Sequence, residues 1–431
     1  MEQIRLPLGV ESFAELRESG CYYIDKTGFI RELLDDVFKV DLITRPRRFG
    51  KTLMMSMLAE FFDIRKDSGL RFEGLNIMED TRLVGEWMNR WPVLFLTLKD
   101  VNGKNYAGAY GLLRQVLSKL CMEHIYLAES EKVTEPDRKS FERLLDRRGD
   151  DTDVKCALDT LMRMMAAHYG RQVILLVDEY DVPLAKASDN RYYDDMLDVI
   201  RSLLGMAWKT NPSLKFAVVT GCLRVAKESI FTGANNFISN SLSGERYQGS
   251  FGFLEHEVVK LLRDTGCEDH YGELKKWYDG YLFGEKEVYC PWDVINHVNL
   301  LQKNPKASPA SYWKDTSHNN IIRRFMENDR IQINEKMEIL LSGGVIRERI
   351  VEEMTYDFEH SSEDNLWSVL YLTGYLTRAA LEDTPESAAS GKTALRIPNE
   401  EVKAIFAETV AKWFTEFPPT QSRERAERMW S

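Results

Sequence analysis

Thr44-Arg-Pro-Arg-Arg-Phe-Gly-Lys-Thr52 connects an apolar run to a helical pattern, and the interpretation of the whole chain starts from this arrangement. The apolar run before it, Val40 to Ile43, predicts a short strand, and apolar residues repeat at helical spacing after it. At such a helix start the unpaired backbone N–H groups and the positive end of the helix dipole face an anion. The Gly-Lys-Thr triplet therefore predicts a loop that holds nucleotide phosphates. The alternative is an ordinary helix start, because the bare triplet also occurs by chance.

The residues of this loop have distinct expected roles. Lys51 is expected to reach the β- and γ-phosphates, and the Thr52 hydroxyl is expected to bind Mg²⁺. Nucleotide contacts are expected from Arg47, Arg48, Phe49, Gly50, Lys51, Thr52 and Leu53. Arg45 stands where a P-loop usually has glycine. The loop is therefore expected to be stiff, with its three arginines adding positive charge beside the phosphates.

A second pattern lies far downstream, where Val173-Ile-Leu-Leu-Val177 is followed by Asp178 and Glu179. A continuous apolar run is typical of a parallel strand covered on both faces, and α/β sheets bind ligands at the carboxyl ends of such strands. Asp178 fits an Mg²⁺ ligand, and Glu179 fits a base that orients and deprotonates the attacking water. Taken alone, the pair is more often a solvated acidic turn. Phosphoryl transfer needs both a phosphate loop and a metal-holding acid, so the two motifs together favour a nucleotide site.

A third strand pattern, Phe216-Ala-Val-Val219, ends in Thr220 and is soon followed by Arg224. Thr220 is a candidate sensor and binder of the γ-phosphate, and Arg224 is a candidate catalytic residue that stabilises transition-state charge. Capping of a turn by Thr220 and a surface ion pair for Arg224 are equally compatible with the sequence.

Aromatic and charged residues outside these motifs have two interpretations each. Tyr23, Asp25 and Lys26 lead towards the strand of the phosphate loop and are candidates for the base or ribose side of the pocket, with helix capping and aromatic packing as the alternative. Four aromatic residues further on are candidates for stacking on nucleic-acid bases, although their helical spacing favours a hydrophobic core. They are Trp277, Tyr278, Tyr281 and Trp292.

Five segments follow one another in the order of a known family. They are Tyr22-Tyr-Ile-Asp-Lys-Thr27, the loop Thr44–Thr52, Leu176-Val-Asp-Glu-Tyr-Asp-Val-Pro-Leu184, Thr220-Gly-Cys-Leu-Arg-Val-Ala-Lys-Glu-Ser229 and Trp277-Tyr-Asp-Gly-Tyr281. Together they resemble the bacterial AAA-ATPase-like proteins, which usually carry a PD-(D/E)XK nuclease-like domain at the C-terminus. The resemblance runs from about Leu6 to about Phe406 and implies a P-loop NTPase that binds ATP. Because we find no nuclease motif in the last stretch and the chain stops before that domain would begin, we do not carry nuclease activity over.

Strands that alternate with helices predict an α/β fold with a mostly parallel sheet. We divide the chain into a P-loop AAA-ATPase-like domain (1–250), a helical lid (251–305), a winged-helix-like region (306–410) and a tail or linker (411–431). The tip of the hairpin expected in the winged-helix-like region is acidic and would repel phosphates. This region is therefore expected to contact protein, either within the chain or in a partner, rather than DNA.

Composition limits the partners further. With 431 residues, of which 44% are apolar, the chain can form two or three hydrophobic cores. A formal net charge of −11 argues against a surface that coats nucleic acid, although a local basic groove stays compatible with it. The six cysteines and seven histidines show no spacing for a metal site or a disulfide framework. No apolar stretch approaches the ~18–20 residues that span a bilayer, so we expect a soluble, cytoplasmic protein without a membrane partner.

These patterns predict an ATP-binding protein that hydrolyses ATP with Mg²⁺ as cofactor and acts as a regulatory or nucleic-acid-associated module. In this mechanism Lys51, Glu179 and Arg224 are the catalytic residues, and Thr52 and Asp178 hold the metal. Two alternatives are a nucleotide-dependent scaffold or sensor that does not hydrolyse ATP, and the ATPase component of a nuclease system.

Overall fold

The computed structural model describes residues 3–225, 230–231, 237–313, 334–354, 363–380 and 391–416. Their strands are β1 Val40–Thr44, β2 Val93–Thr97, β3 Val173–Asp178, β4 Leu214–Gly221, β5 Arg224–Val225, β6 Phe237–Asn240, β7 Tyr281–Phe283, β8 Lys286–Val288, β9 Ile346–Glu348, β10 Glu353–Met354, β11 Thr377–Arg378 and β12 Thr393–Arg396. The helices are α1 Phe13–Glu18, α2 Gly28–Leu34, α3 Lys51–Phe62, α4 Gly69–Phe72, α5 Thr81–Trp87, α6 Tyr106–Glu123, α7 Glu135–Leu145, α8 Asp151–Lys155, α9 Ala157–Tyr169, α10 Val182–Asp189, α11 Tyr193–Trp208, α12 Glu255–Thr265, α13 Tyr271–Tyr278, α14 Pro291–Lys303, α15 Asn334–Leu341, α16 Glu363–Leu372 and α17 Glu400–Glu416.

The centre of the fold is a five-stranded sheet in the order β2-β3-β4-β1-β6, in which every pairing is parallel. The α/β fold with a mostly parallel sheet is therefore confirmed. All residues of β1 and β3 are buried, because helices cover both faces of the sheet. The carboxyl ends of parallel strands lie at one edge, so the phosphate loop after β1 and the acids at the end of β3 meet there. Strand β4 lies between them and brings Thr220 to the same edge.

The region predicted to be a lid (residues 251–305, called the lid below) contains α12, α13, α14 and the antiparallel hairpin β7–β8. Its helices bury their apolar faces against one another and form a hydrophobic cluster separate from that of the main sheet. Leu6 from the N-terminal segment packs into this second cluster. Tyr278 and Tyr281 are buried, and the rings of Trp277 and Trp292 pack against the clusters, so these four aromatic residues serve as core.

The C-terminal region has a three-stranded antiparallel sheet in the order β11-β12-β9, and the main hydrophobic cluster includes the described buried residues of α16. Strand β10 pairs in parallel with β5, directly after the strand that carries Thr220. The acidic tip at 382–386 lies outside the described residues, so the winged-helix interpretation stays a prediction. Among the described residues no helix is long and apolar enough to cross a membrane.

The carboxyl group of Asp279 lies where the lid meets the C-terminal region. Asp279 follows α13 and is 4% exposed, and its backbone carbonyl accepts a hydrogen bond from Asn399 Nδ2 at 2.8 Å. Burial raises the pKa of Asp279 from 3.8 to about 6, and the nearby charge of Glu287 adds to the effect.

Asp279 therefore makes stability depend on pH. The folded state binds its proton more tightly than the unfolded chain, so this contribution to the free energy of unfolding is fully present below pH 3.8 and is lost as the pH rises through about 6. Relative to wild type, Asp279→Asn is expected to gain at most about 3 kcal/mol between pH 4 and 7.5. Urea unfolding at several pH values measures the difference. The exposed variant Asp269→Asn is the control, and an Asp279→Asn curve parallel to wild type would contradict the expectation.

Candidate functional site

The phosphate loop ends at a helix start without a side-chain cap. Gly50 is the N-cap of α3 and has a φ of 80°, a left-handed conformation that glycine adopts without strain. Gly50 has no side chain that could cap this end, and the first N–H groups of α3 point towards the space in front of the helix. A twelve-residue helix with an open N-terminus is a good place for an anion.

Lys51 is folded back onto its own loop. Its ammonium donates hydrogen bonds to the carbonyls of Arg45, at 3.0 Å, and Pro46, at 2.9 Å. The side chain is only slightly exposed but still lines the cavity in front of α3. The charge predicted to meet the phosphates is therefore present at this place, held by weak carbonyl acceptors of the loop itself.

A chain of three side chains joins the predicted metal ligands. The Thr52 hydroxyl donates to Asp178 Oδ2 at 2.7 Å, and the Thr220 hydroxyl donates to Asp178 Oδ1 at 2.5 Å. Burial raises the pKa of Asp178, whereas these two hydrogen bonds lower it. The Asp178 carboxylate is fully buried behind Thr52. The two hydrogen bonds bring together both predicted metal ligands, Thr52 and Asp178, and the predicted sensor, Thr220.

Glu179 lies next to this chain and faces the cavity. Its φ of 53° is unusual for a residue with a side chain, and such strain is common where a side chain must be aimed at a ligand. Burial raises the pKa of the Glu179 carboxyl, while the charges of Lys51 and Arg47 lower it. The position suits a group that accepts a proton beside the phosphates.

The two residues after Glu179 fix the turn that follows β4, a role that sequence reasoning did not assign. The Tyr180 hydroxyl donates to the carbonyl of Leu223 and accepts from the N–H of Val225. Asp181 Oδ2 accepts the N–H groups of Cys222 and Leu223 at 2.9 and 3.0 Å. The sequence signal for this role is the run Asp178-Glu-Tyr-Asp181. Its last two residues hold the turn after β4 through these hydrogen bonds.

Arg45 differs from the expectation. Its guanidinium is 1% exposed and points away from the cavity, so it does not add charge beside the phosphates. It donates to five backbone carbonyls, those of Thr44, Asn240, Ser241, Arg246 and Tyr247. It also lies over the rings of Phe251 and Phe283. Arg45 is thus a bridge between the loop and the chain that leads from β6 to the lid.

The next loop residues contact the lid. The Arg48 guanidinium lies 4.2 Å from the ring centroid of Trp292 in α14. The buried ring of Phe49 packs against Tyr281 and Phe283 of the lid hairpin. The phosphate loop is therefore part of the contact between the sheet and the lid.

A cavity of about 460 Å³ lies between the loop, the N-terminal segment and the lid. Its volume is in the range of pockets that bind small molecules. Seven of the predicted nucleotide contacts line it together with Glu179: Arg47, Arg48, Phe49, Gly50, Lys51, Thr52 and Leu53. Lys99, Asn102, Lys186 and Trp292, which sequence reasoning did not assign to the site, line it as well.

The N-terminal candidates separate into two roles. Tyr23 and Lys26 line the cavity, and Lys26 forms an ion pair of 2.6 Å with Glu257 of α12. Burial lowers the pKa of Lys26, although the charge of Glu257 opposes this. Asp25 does not line the cavity, because its carboxylate accepts the N–H and hydroxyl of Thr27 and the N–H of Asn76. Asp25 therefore holds the turn before α2, whose N-cap residue Thr27 makes no side-chain cap hydrogen bond.

Arg224 is placed away from the cavity. Its guanidinium pairs with Glu353 at 2.6 Å and lies over the ring of Phe237, and it does not line the cavity. The ion-pair alternative is therefore present in the structure, and its catalytic role stays a prediction.

Comparison with known proteins agrees with this geometry. A family model described as "Predicted AAA-ATPase" matches residues 7–231, a range that includes the phosphate loop, the acids after β3 and the turn after β4. A protein of Azotobacter chroococcum mcd 1, described as an uncharacterized protein in the vnfD 5' region, is 25% identical over 434 aligned positions. The alignment covers 98% of this chain and 73% of the relative.

We predict that Arg45→Gly destabilises the protein, although glycine is the usual residue at this position of a P-loop. Arg45→Gly and Arg45→Met remove the donors to five carbonyls, so we expect each to lower the free energy of unfolding by at least about 1–3 kcal/mol, the cost of leaving a buried acceptor unpaired. Urea unfolding measures the loss, with Arg82→Met on an exposed face of α5 as the control. An Arg45→Gly protein as stable as wild type would show that the bridge does not stabilise the fold.

Proposed function

We propose that this chain, which belongs to the predicted AAA-ATPase family, binds ATP in the cavity and hydrolyses it. The observation that supports the proposal best is the hydrogen-bonded chain Thr52–Asp178–Thr220 beside Lys51 and Glu179. Residues from three strand ends converge there on one side of an open helix N-terminus. A site for a nucleoside triphosphate and its metal ion needs an anion-binding helix start close to a buried carboxylate. Few other kinds of site need both.

The phosphates are held by the N–H groups at the start of α3 and by Lys51. In the structure Lys51 donates to loop carbonyls, and phosphate oxygens are stronger acceptors because they are charged. Thr52 and Asp178 fit Mg²⁺, since the ion prefers oxygen ligands and both residues present oxygen atoms at the same point. When bound there, the ion would neutralise charge on the β- and γ-phosphates.

Glu179 acts as the base. It faces the cavity and orients the attacking water. It accepts the proton of this water as the water oxygen bonds to the γ-phosphorus and the bond from that phosphorus to the bridging β-oxygen breaks, which releases ADP. Thr220 holds Asp178 in position from the strand between the two motifs. The strained backbone of Glu179 fixes the direction of its carboxylate before the substrate arrives.

The nucleotide state acts on the lid and the C-terminal region, which makes the protein a regulatory module. Lys26 and Arg48 line the cavity and also contact the lid through Glu257 and Trp292. A bound nucleotide therefore changes the surroundings of residues that hold the lid. We propose that residues 1–250, 251–305 and 306–410 form the ATPase, lid and C-terminal units of this module, with 411–431 as a tail or linker. We further propose that the C-terminal unit contacts a protein partner.

Binding is tested by nucleotide-dependent stabilisation. ATP with Mg²⁺ at about a hundredfold excess over Kd is expected to stabilise the wild type by roughly 2.7 kcal/mol, and GTP by less. Lys51→Ala is expected to lose most of this gain, whereas Lys119→Ala on the exposed face of α6 keeps it. Thermal unfolding with ATP, ADP, GTP or no nucleotide gives the comparison. Unchanged ATP stabilisation in Lys51→Ala would contradict the site, provided that the variant alone is folded.

Hydrolysis is tested separately with Glu179→Gln. This variant keeps the shape of the side chain but loses the proton acceptor, so ATP binding should persist while phosphate release falls about 10²–10⁴-fold. A sensitive phosphate-release assay and the thermal assay are run on the same samples. Equal phosphate release by the wild type and Glu179→Gln would favour the alternative of a nucleotide sensor without turnover.

A further inference from the structure

We propose that the amino edge of the main sheet binds single-stranded nucleic acid, with the phosphates on a row of basic side chains and the bases on two tryptophan rings. Every pairing in this sheet is parallel, so its amino edge lies opposite the edge that carries the phosphate loop. The inference goes beyond the proposed ATPase function and does not depend on it. We call this surface the basic edge, and it consists of Lys39, Trp87, Arg90, Trp91, Arg171 and Lys215.

The basic edge forms where four neighbouring strands begin. Lys39 directly precedes β1, and Lys215 is the second residue of β4. The N–H of Ala217 donates to the carbonyl of Lys39, which places the starts of β1 and β4 side by side. Arg171 lies two residues before β3, and its guanidinium donates at 2.5 Å to the carbonyl of Arg90, three residues before β2. The four cations come from distant segments of the chain and meet only through the sheet.

Two tryptophan rings lie among these cations. Trp87, the last residue of α5, stacks on Trp91 with ring centroids 5.1 Å apart. The Lys215 ammonium lies 4.8 Å from the centroid of Trp91 and 5.5 Å from that of Trp87. The Arg171 guanidinium lies 5.0 Å from the centroid of Trp91. Both tryptophans are half-buried, so part of each side chain faces solvent.

The positive charges of the basic edge are offset by neutral groups. The Lys39 ammonium donates to the carbonyls of Leu214 and Lys215, while Lys215 and Arg171 lie over ring faces. In the part of the chain that the structure describes, none of the four cations forms an ion pair with a carboxylate. Burial lowers the pKa of Lys39, and the charge of Lys215 lowers it further because the two cations lie close together.

Two acidic residues next to the basic edge are engaged by other arginines. Asp63, whose backbone bridges to that of Trp91, pairs with Arg65 at 2.8 Å. Asp36, in the segment before β1, pairs with Arg246 at 3.2 Å. These acids therefore do not neutralise the basic edge, and a polyanion meets positive charge here although the whole chain has a net charge of −11.

Single-stranded nucleic acid fits this combination of charge and rings. The row crosses four strands, roughly 14 Å at the ~4.8 Å spacing of neighbouring strands, and a nucleic-acid strand carries a phosphate every ~3.4 Å, so about four phosphates meet it. A base stacked on an aromatic ring gains more free energy than a cation at an exposed ring face. A base can therefore displace Lys215 or Arg171 from its ring, and the freed cation pairs with a phosphate. An acidic peptide would satisfy the charges without using the rings.

The test measures binding of a labelled oligothymidylate of about twenty nucleotides by fluorescence anisotropy at several salt concentrations. With about four phosphate contacts the slope of log Kobs against log [salt] is expected to be about −2.8, so the affinity of the wild type falls roughly 50-fold between about 50 and 200 mM salt. Arg90→Met and Arg171→Met should each reduce the magnitude of the slope by about 0.7, and the double variant by about 1.4. Lys119→Met, which removes an exposed charge of α6, should leave slope and affinity unchanged.

The outcomes identify the occupant of the basic edge. Arg90 and Arg171 are both exposed, so thermal unfolding of their variants should stay close to that of the wild type. No binding of the oligonucleotide at about 50 mM salt, or a slope that the arginine variants leave unchanged, would overturn the inference. Displacement by ATP would place the oligonucleotide in the cavity instead, and equally strong competition by polyglutamate would assign the basic edge to an acidic protein. The ATPase proposal is tested without nucleic acid, so its failure would leave this inference standing.

Discussion

The buried guanidinium of Arg45 fixes the phosphate loop to the rest of the protein. Placing an arginine out of contact with water costs several kcal/mol, and only good hydrogen-bond geometry offsets that cost. Here five carbonyls from the loop, the end of β6 and residues 246–247 accept from it. Burial lowers its pKa to about 10, so it is still charged at neutral pH. These hydrogen bonds therefore hold the loop in this conformation, although it lacks the first glycine of a usual P-loop.

This anchoring makes the loop a junction of three regions. Arg48 and Phe49 contact the lid, and Pro46 contacts the C-terminal region at Gly374. A Cβ atom on Gly374 would lie 2.9 Å from Pro46 Cβ, and its φ of 90° also requires glycine. The same region pairs β10 with β5, directly after the strand that holds Thr220. A movement of the loop on ligand binding would therefore change contacts in both the lid and the C-terminal region.

The sequence predicts those features that depend on local patterns. Apolar runs and helical periodicity identify β1, β3, β4 and the helices of the lid, and Gly-Lys-Thr with Asp-Glu predicts the candidate site. What it misses depends on long-range contacts. The direction of the Arg45 side chain is set by carbonyls almost 200 positions away, and the partner of Arg224 comes from β10.

The charge of Arg48 in the loop acts on a pair of buried acids, one in the lid and one in the C-terminal region. Asp293, in the first turn of α14, and Glu401, in the first turn of α17, are both almost fully buried. Burial and the neighbouring charge of Glu401 raise the pKa of Asp293, burial raises that of Glu401, and the charge of Arg48 opposes the effect at Asp293. Arg48, which also lines the cavity, therefore opposes only in part the shift of Asp293 towards its protonated form. Because an anion in the cavity and the ionised Asp293 both interact favourably with the same arginine, the free energies of ligand binding and of proton release from the pair are linked. Asp293 of the lid and Glu401 of α17 lie where these two parts of the protein meet. Ligand binding in the cavity and protonation of the pair would therefore both affect this contact.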